Sequence, residues 1–330
     1  MSNNEKIAGF IGKKALRLTS LLIIVCLASF MLIQYSPIDP VRAYIGEMPV
    51  TAEHKAKLEA YWGVNTPPQE KFLNWAGDIL KGDFGTSLIY RIPVIDVIKE
   101  RFAASLALMG ISWLFSGILG FVLGIIAGAK QDTWVDKAIK IYCYALAAAP
   151  TFWLALILLM VFSVYLGWFP IGLSVPIGVT ADNVTFFEWF KRLILPALTL
   201  SLLDIAKITM FTREKLIEVL SSDYVLFAKA RGENGLDLVL RHGIRNVALP
   251  AITLQFLGFS ELFGGTVLVE QVFSYPGIGQ AAVAAGLRSD VPLLLGIVIF
   301  STFFVFFGNL IADIIYEFVD PRIKQQEALI

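Results

Sequence analysis

The sequence is poor in charge, cysteine and histidine, and each shortage argues against a class of protein. Charged residues make up 16% of its 330 residues, below the roughly 25% typical of soluble domains. The two cysteines, Cys26 and Cys143, lie in separate apolar runs and far from His54 and His242, so neither a disulfide framework nor a zinc site is expected. Lys plus Arg and Asp plus Glu number 27 each, and this balance gives no reason to expect a nucleic-acid partner.

The motifs of common catalytic sites are also missing. The nearest match to a phosphate-binding G-x-x-x-x-G-K-[ST] loop is segment 9–14, whose spacing is wrong and which precedes a membrane span. No H-E-x-x-H motif occurs, and segment 258–262 (Gly-Phe-Ser-Glu-Leu) lacks the second glycine of a nucleophile elbow. We therefore predict a chain with no catalytic residue, no metal site and no cofactor of its own.

Long apolar stretches dominate what is present. Hydrophobic residues account for 57% of the sequence, and six stretches reach the ~20 apolar residues that a helix needs to cross a bilayer. The fold class predicted is an all-α polytopic membrane protein with six transmembrane helices. No small-x-small cleavage site follows the first stretch, so we expect it to be retained and not removed as a signal peptide. The six stretches are 18–35, 103–129, 141–169, 193–212, 252–273 and 292–318.

The positions of Lys and Arg give the orientation, because short cytoplasmic loops carry an excess of both. With the N-terminus inside, the inner loops and tails contain 15 such residues and the short outer loops contain three. We expect the terminal segments, 1–17 and 319–330, to be cytoplasmic. The long segment 36–102 then lies outside, where cap signals at Thr51 and in 66–69 predict short helices. It is either a small folded cap on the bundle or a docking surface for an extracytoplasmic partner.

Charged side chains inside the spans are costly and mark candidate functional sites. Asp204 and Lys207 lie three residues apart on one face of span four, where they can pair, although Lys207 is also near enough to the inner end to snorkel. Glu261 has no basic residue on its own face of span five, so it lines a water-filled path, is neutral, or has a partner elsewhere. Together with Gln255 and Ser260, Asp204 and Glu261 form the candidate translocation path.

A separate pattern in span two concerns packing. Gly120, Gly124 and Gly128 recur at four-residue spacing, and such a face of small residues lets two membrane helices approach closely. The pattern leaves open whether the partner helix belongs to this chain or to another.

The inner loop 213–246 has the features of a docking element. Asp223 begins a short helix that ends near Gly232, and a second helix is expected over 236–245. The chain is then expected to turn back into the membrane at Pro250. Six basic and five acidic residues make the loop too balanced to bind lipid headgroups, whereas its small and apolar residues suit a helix laid into a groove of another protein.

The same loop resembles the EAA coupling loop of ABC-transporter permeases. The 18 residues from its glycine to its proline are similar to the dipeptide, oligopeptide and nickel subfamily, although Leu226 or Phe227 stands where the motif has its glutamate. Segments similar to the B-type permease subunit also occur at 36–40, 82–87, 149–153, 195–198, 269–279 and 320–322, so the resemblance covers nearly the whole chain. The coupling-loop residues are Asp223, Ala228, Ala230, Gly232, Arg241, His242, Asn246 and Pro250.

The resemblance implies a type I importer permease fold, with 103–318 as the permease core, in a bacterial or archaeal inner membrane and surrounded by lipid. It also implies a heterodimer with a second, similar permease, two cytoplasmic ATPase subunits that bind ATP and Mg, and an extracytoplasmic substrate-binding protein. Peptides are the expected substrate, with nickel or metal chelates, glutathione and short oligosaccharides as alternatives.

Two other kinds of protein remain as alternatives at this point. A self-contained secondary transporter would need a mid-membrane ionisable residue such as Glu261 and commonly shows internal repeats, but the two halves of the sequence give no persuasive repeat. A scaffold or receptor module would leave Asp204 and Glu261 unexplained.

Overall fold

The computed structural model of the chain describes residues 3–34, 41, 45, 51–61, 66–173, 183–288 and 290–319. This part of the chain is almost wholly helical, and the extended residues in it pair at one isolated bridge, between Thr86 and Pro93. The helices are α1 (Asn3–Gln34), α2 (Ala52–Tyr61), α3 (Pro68–Leu80), α4 (Val94–Ala129), α5 (Trp134–Ala148), α6 (Thr151–Tyr165), α7 (Phe186–Leu220), α8 (Asp223–Ala230), α9 (Leu236–Leu257), α10 (Phe259–Val272), α11 (Ile278–Leu287) and α12 (Val291–Val319).

Several of these helices are long and apolar enough to cross a bilayer. Among the described residues, α4, α7 and the Val291–Ala312 part of α12 qualify alone, and two bent pairs, α5 with α6 and α9 with α10, raise the number to five if each pair is one span. The apolar part of α1, Leu16–Met31, corresponds to the predicted span 18–35. The six-span count and the cytoplasmic termini stay predictions, and the segments 36–40 and 320–330 lie outside the described residues.

The third predicted span, 141–169, is not one continuous helix. The chain bends by 109° between α5 and α6. Ala149 has an extended backbone, with φ −88° and ψ 133°, immediately before Pro150. Because a proline ring clashes with a helical conformation of the residue before it, α5 ends here and α6 starts in a new direction.

The turn predicted at Pro250 is also wrong. α9 runs without a break from the inner loop through Pro250 to Leu257, with a π-helical turn at Val239–Ile244. Proline deprives a helix of one N–H hydrogen bond but does not always end it. The bend comes later, at Gly258, where α9 and α10 meet at 51°, so the fifth predicted span is itself broken.

The chain divides into two compact units. The first comprises Met1–Ala104 and Ile278–Phe307, and the second comprises Ser105–Gly277 and Gly308–Ile330. The predicted coupling loop and the charged residues of spans four and five therefore belong to the second unit.

Asp290 organises the first unit just before α12. It is fully buried and accepts hydrogen bonds from the hydroxyl of Ser87 and from the backbone N–H of Ile89. Its other carboxylate oxygen accepts from the backbone N–H of Leu293 in the first turn of α12. The side chain thus caps α12 and holds the loop that precedes α4.

Within the second unit, the glycine face of α4 packs against α7. A Cβ atom added to any of the three glycines would come within 2.5–3.0 Å of a side-chain atom of α7, closer than packed atoms lie. The glycines therefore permit a backbone approach that alanine would prevent. The pairs are Gly120 with Ile208, Gly124 with Thr212, and Gly128 with Leu216.

Candidate coupling loop and intramembrane site

The predicted coupling loop contains the short helix α8, which is fixed to the C-terminal end of α7. On one face of α8, apolar side chains are buried in a small core of their own, which also includes the start of α9. This core connects α8 to the last turn of the membrane helix α7. Its members are Val225, Ala228 and Leu238, with Val219 and Leu220 packed against them.

The other side of α8 presents apolar side chains to the surroundings. Tyr224 and Leu226 are about half exposed, and Phe227 is 64% exposed. Leu226 or Phe227 stands where the resemblance has a glutamate. A cluster of exposed apolar side chains on a loop is typical of a contact with another protein.

Gly232 ends this helix in the manner predicted from the sequence. Its φ is +95°, a left-handed conformation that favours glycine. The N–H of Glu233 donates to the carbonyl of Ala228 at 3.2 Å, and the N–H of Gly232 donates to the carbonyl of Lys229 at 3.0 Å. These two bonds form a Schellman motif, which satisfies carbonyls that would otherwise lack partners at the helix end.

His242 connects α9 back to this turn. Its Nε2 atom lies 3.1 Å from Oε2 of Glu233, and the side chain of Asn246 donates to the backbone carbonyl of His242 at 2.7 Å. The structure therefore brings His242, Asn246 and the turn at Gly232 together. Asp223, Ala230 and Arg241 are exposed around the loop, while Pro250 is half-buried within α9, away from the turn.

A buried ion pair near this loop has no counterpart in the predictions. Asp136 of α5 is fully buried and accepts hydrogen bonds from Arg213 of α7 at 2.6 and 2.8 Å, and Lys140 lies 3.7 Å from it. Both partners lie outside the predicted spans 141–169 and 193–212. The hydrogen bonds from Arg213 lower the pKa of Asp136 to about 2. No local spacing in the sequence marks a pair whose members are 77 residues apart.

The charged residues of spans four and five also meet. Nζ of Lys207 lies 2.8 Å from Oε2 of Glu261, so Glu261 has the partner that the sequence left open, and that partner is on another helix. Asp204, one helical turn before Lys207, interacts electrostatically with both. Of the two roles open to Lys207, a pair with Asp204 or snorkelling, neither is seen, because Lys207 pairs with Glu261 and Asp204 lies beside them.

A small cleft adjoins this cluster, with a free interior space of about 10 Å³, enough for about one water molecule. Its lining includes Asp204, Lys207 and Gln255. Gln255 also forms two hydrogen bonds with Trp113. Nε1 of Trp113 donates to the backbone carbonyl of Gln255, and Nε2 of Gln255 donates to the backbone carbonyl of Trp113. Ser260 does not line the cleft. Its hydroxyl oxygen lies 3.0 Å from the Cβ position of Gly308 on α12.

No group of three His, Cys, Asp or Glu side chains in the described part of the chain is placed to hold a metal ion. The two cysteines are unbonded to each other, with Cys143 buried and Cys26 half-buried.

Comparison with known proteins decides the family. The model of the family described as "binding-protein-dependent transport system inner membrane component" matches residues 120–325, more than half of the chain. The chain belongs to this family. An oligopeptide transport system permease protein of Bacillus subtilis is 35% identical over 96% of this chain and 99% of the relative. A di/tripeptide permease of Pseudomonas aeruginosa is 32% identical over 92% and 94%, and a glutathione permease of Escherichia coli is 33% identical over 96% and 98%.

These matches confirm the resemblance seen in the sequence. This binding-protein-dependent permease is a multi-pass protein of the inner membrane and a permease subunit of an ABC importer. Permeases of the family work with ATPase subunits and a binding protein. The family assignment decides against the self-contained secondary transporter and against the scaffold module.

Proposed function

We propose that this permease imports peptides and forms half of a translocation path, with a second, homologous permease as the other half. Relatives that align over more than nine-tenths of this chain are named as permeases for oligopeptides, for di- and tripeptides and for glutathione. A peptide backbone is common to these substrates. An extracytoplasmic binding protein delivers the peptide, and the outer segment 36–102 is the part of this chain that meets it.

The observation that carries the proposal is the two-sided helix α8. Its buried face is fixed to the end of α7 through Val225 and Ala228, while Tyr224 and Phe227 are exposed on the other side. An ATPase subunit that holds the exposed side can therefore displace the inner end of α7. The family resemblance gives this role to the coupling-loop residues named above.

In this proposal, ATP is hydrolysed by subunits that are separate from this chain. Two cytoplasmic ATPase subunits bind ATP and Mg, and this chain contributes no catalytic residue and no cofactor. ATP closes the ATPase pair, the coupling helices move with it, and the spans switch from inward-facing to outward-facing. The proposal includes six spans with both termini in the cytoplasm, since only that orientation puts the coupling loop on the ATPase side.

Co-purification tests the docking step. The transporter is expressed with its ATPase subunits, and the amount of ATPase that co-purifies with this chain is measured. Phe227→Asp places a charge in the apolar contact and is expected to lower the amount at least about tenfold. Leu80→Asp is the control, because Leu80 is 88% exposed and lies in the outer segment. Equal recovery of the ATPase with both variants would contradict docking at α8.

Glutathione is the second candidate substrate. The glutathione permease of Escherichia coli is about as similar to this chain as the di/tripeptide permease is. Uptake of glutathione but not of unmodified tripeptides by the complete transporter would favour it. Nickel or metal chelates remain a further candidate from the subfamily resemblance.

A further inference from the structure

The Lys207–Glu261 pair is exposed although the spans that carry it cross the membrane. The side chain of Lys207 is 45% exposed and that of Glu261 is 67% exposed. Lys207 lies ~8 Å and Asp204 ~12 Å along the helix from the inner end of their predicted span, at 1.5 Å per residue. Charged groups that face hydrocarbon are costly. The exposed side of this pair therefore faces a water-filled path or another subunit, and not lipid.

Gln255, which lines the adjoining cleft, carries an acceptor that lacks a donor. Gln255 is only 8% exposed, and its Nε2 atom donates to the carbonyl of Trp113 and to the hydroxyl of Ser116. Its Oε1 atom has no hydrogen-bond partner among the described residues. Buried polar atoms are normally satisfied, so this oxygen is available to accept a hydrogen bond from a ligand or a water molecule.

The charges of the cluster do not balance. Lys207 is bonded to Glu261, whereas the second carboxylate, Asp204, interacts with Lys207 only through space. An uncompensated carboxylate within a membrane is unfavourable. The cluster is therefore one positive charge short, and a second cation would complete it.

We infer that Asp204, Gln255 and Glu261 bind the ammonium group of the transported peptide, and that Lys207 occupies its place at Glu261 when the path is empty. This inference rests on the proposed function, because it takes a peptide as the substrate. An ammonium group carries three N–H donors and no acceptor, which matches a set of two carboxylates and one amide oxygen.

Binding exchanges one ion pair for two. The peptide ammonium replaces Lys207 at Glu261 and binds one oxygen of Asp204. Lys207 then pairs with the other oxygen of Asp204, three residues earlier on the same helix face. Both carboxylates are paired in the loaded state, whereas one is left over in the empty state. Lys207 also returns to Glu261 when the peptide leaves, so the site binds its cargo weakly enough to release it.

Peptides with and without an ammonium group test this site. The complete transporter is reconstituted in proteoliposomes and supplied with binding protein loaded with either trialanine or N-acetyl-trialanine. Each uptake rate is divided by the measured occupancy of the binding protein, so that the preference of the binding protein cancels. The variants are Glu261→Gln and Lys207→Gln. Glu218→Gln is the matched control, because it removes a carboxylate from the exposed Lys215–Glu218 pair on the same helix α7.

In the wild type we expect trialanine to be transported about tenfold faster than its acetylated form, the effect of one charge-assisted contact. Glu261→Gln brings this ratio close to one. Lys207→Gln removes the competing ammonium group and raises the ratio, and Glu218→Gln leaves it at the wild-type value. If Glu261→Gln fails to assemble, the Lys207→Gln ratio decides.

Three results would overturn the site. They are equal transport of both peptides by the wild type, an unchanged ratio in Glu261→Gln, and a ratio in Lys207→Gln that stays at or falls below the wild-type value. The last result would mean that the Lys207–Glu261 pair only stabilises the packing of α7 against α10 or contacts the second permease. A wild-type transporter that takes up neither peptide would instead overturn the proposed function, and the ligand named here with it.

Discussion

Asp136, near the start of α5, and Arg213, near the end of α7, form a buried, two-point ion pair with N–O distances of 2.6 and 2.8 Å. Asp136→Asn leaves the guanidinium group without its counter-ion and is expected to lower the free energy of unfolding by about 3 kcal/mol. Chemical denaturation of the protein in detergent measures this loss. Glu218→Gln, which disrupts an exposed pair on α7, is the control and is expected to cost less than about 1 kcal/mol.

The same pair predicts a pH dependence. Hydrogen bonds from Arg213 lower the pKa of Asp136 to about 2, below the ~3.9 of an aspartate in an unfolded chain. The pair therefore contributes fully above about pH 4, and its contribution is lost as the pH falls towards 2. The difference in unfolding free energy between wild type and Asp136→Asn should shrink over that interval. A constant difference from pH 7 to pH 2 would contradict the role of Arg213.

The packing of α4 on α7 predicts opposite effects for two glycines of α4. A Cβ atom on Gly124 would lie 2.5 Å from Cβ of Thr212 and 2.8 Å from the carbonyl oxygen of Thr209. Gly124→Ala is expected to lower the unfolding free energy by about 1–3 kcal/mol. Gly110→Ala meets no atom within 4 Å and should be neutral or slightly stabilising. Thermal unfolding of the two variants in detergent compares them, and equal melting temperatures would contradict close packing at Gly124.

The turn at Gly232 predicts a defect in coupling. Gly232→Trp forces a bulky L-residue into a φ of +95°, which disturbs the turn between α8 and α9. The protein should still insert, but ATP hydrolysis should no longer drive uptake. Gly232→Asn is the matched variant and should retain more coupling, because asparagine tolerates this conformation. The ratio of peptide taken up to ATP hydrolysed measures the effect. Wild-type coupling in Gly232→Trp would contradict the role of the turn.

In the first unit, Asp290 predicts a loss of stability on truncation. Asp290→Ala removes hydrogen bonds from Ser87 and Ile89 and the cap on Leu293, with an expected cost of about 3 kcal/mol. Asp78→Ala is the comparison, because Asp78 is 56% exposed in a 3.6 Å pair with Lys81. Thermal unfolding in detergent measures both. A similar small shift in the two variants would show that Asp290 does not hold the loop before α4.

The sequence predicts the features that depend on local pattern. The apolar runs predict where the long apolar helices lie, because a helix that crosses hydrocarbon must be long and apolar. The helix end at Gly232 was predictable for a similar reason, since glycine in that position is a local signal. Bends are harder to predict. The apolar run at 141–169 continues through Pro150, and hydropathy does not register the change of direction there.

Contacts between residues that are far apart in the sequence could not be predicted from the sequence. Lys207 and Glu261 are 54 residues apart, and each has another feasible explanation when its own helix is considered alone. For Lys207 this is snorkelling or a pair with Asp204, and for Glu261 it is protonation or water. The Asp136–Arg213 pair was missed for the same reason, because only the packing of α5 on α7 brings its members together.

The most direct test of the central claim is peptide uptake into proteoliposomes that contain this chain and its partner permease, with loaded binding protein outside. It is measured with and without the ATPase subunits and internal ATP and Mg. We expect uptake when all components are present and none when the ATPase subunits are omitted. Sustained uptake by this chain without ATPase subunits would contradict it.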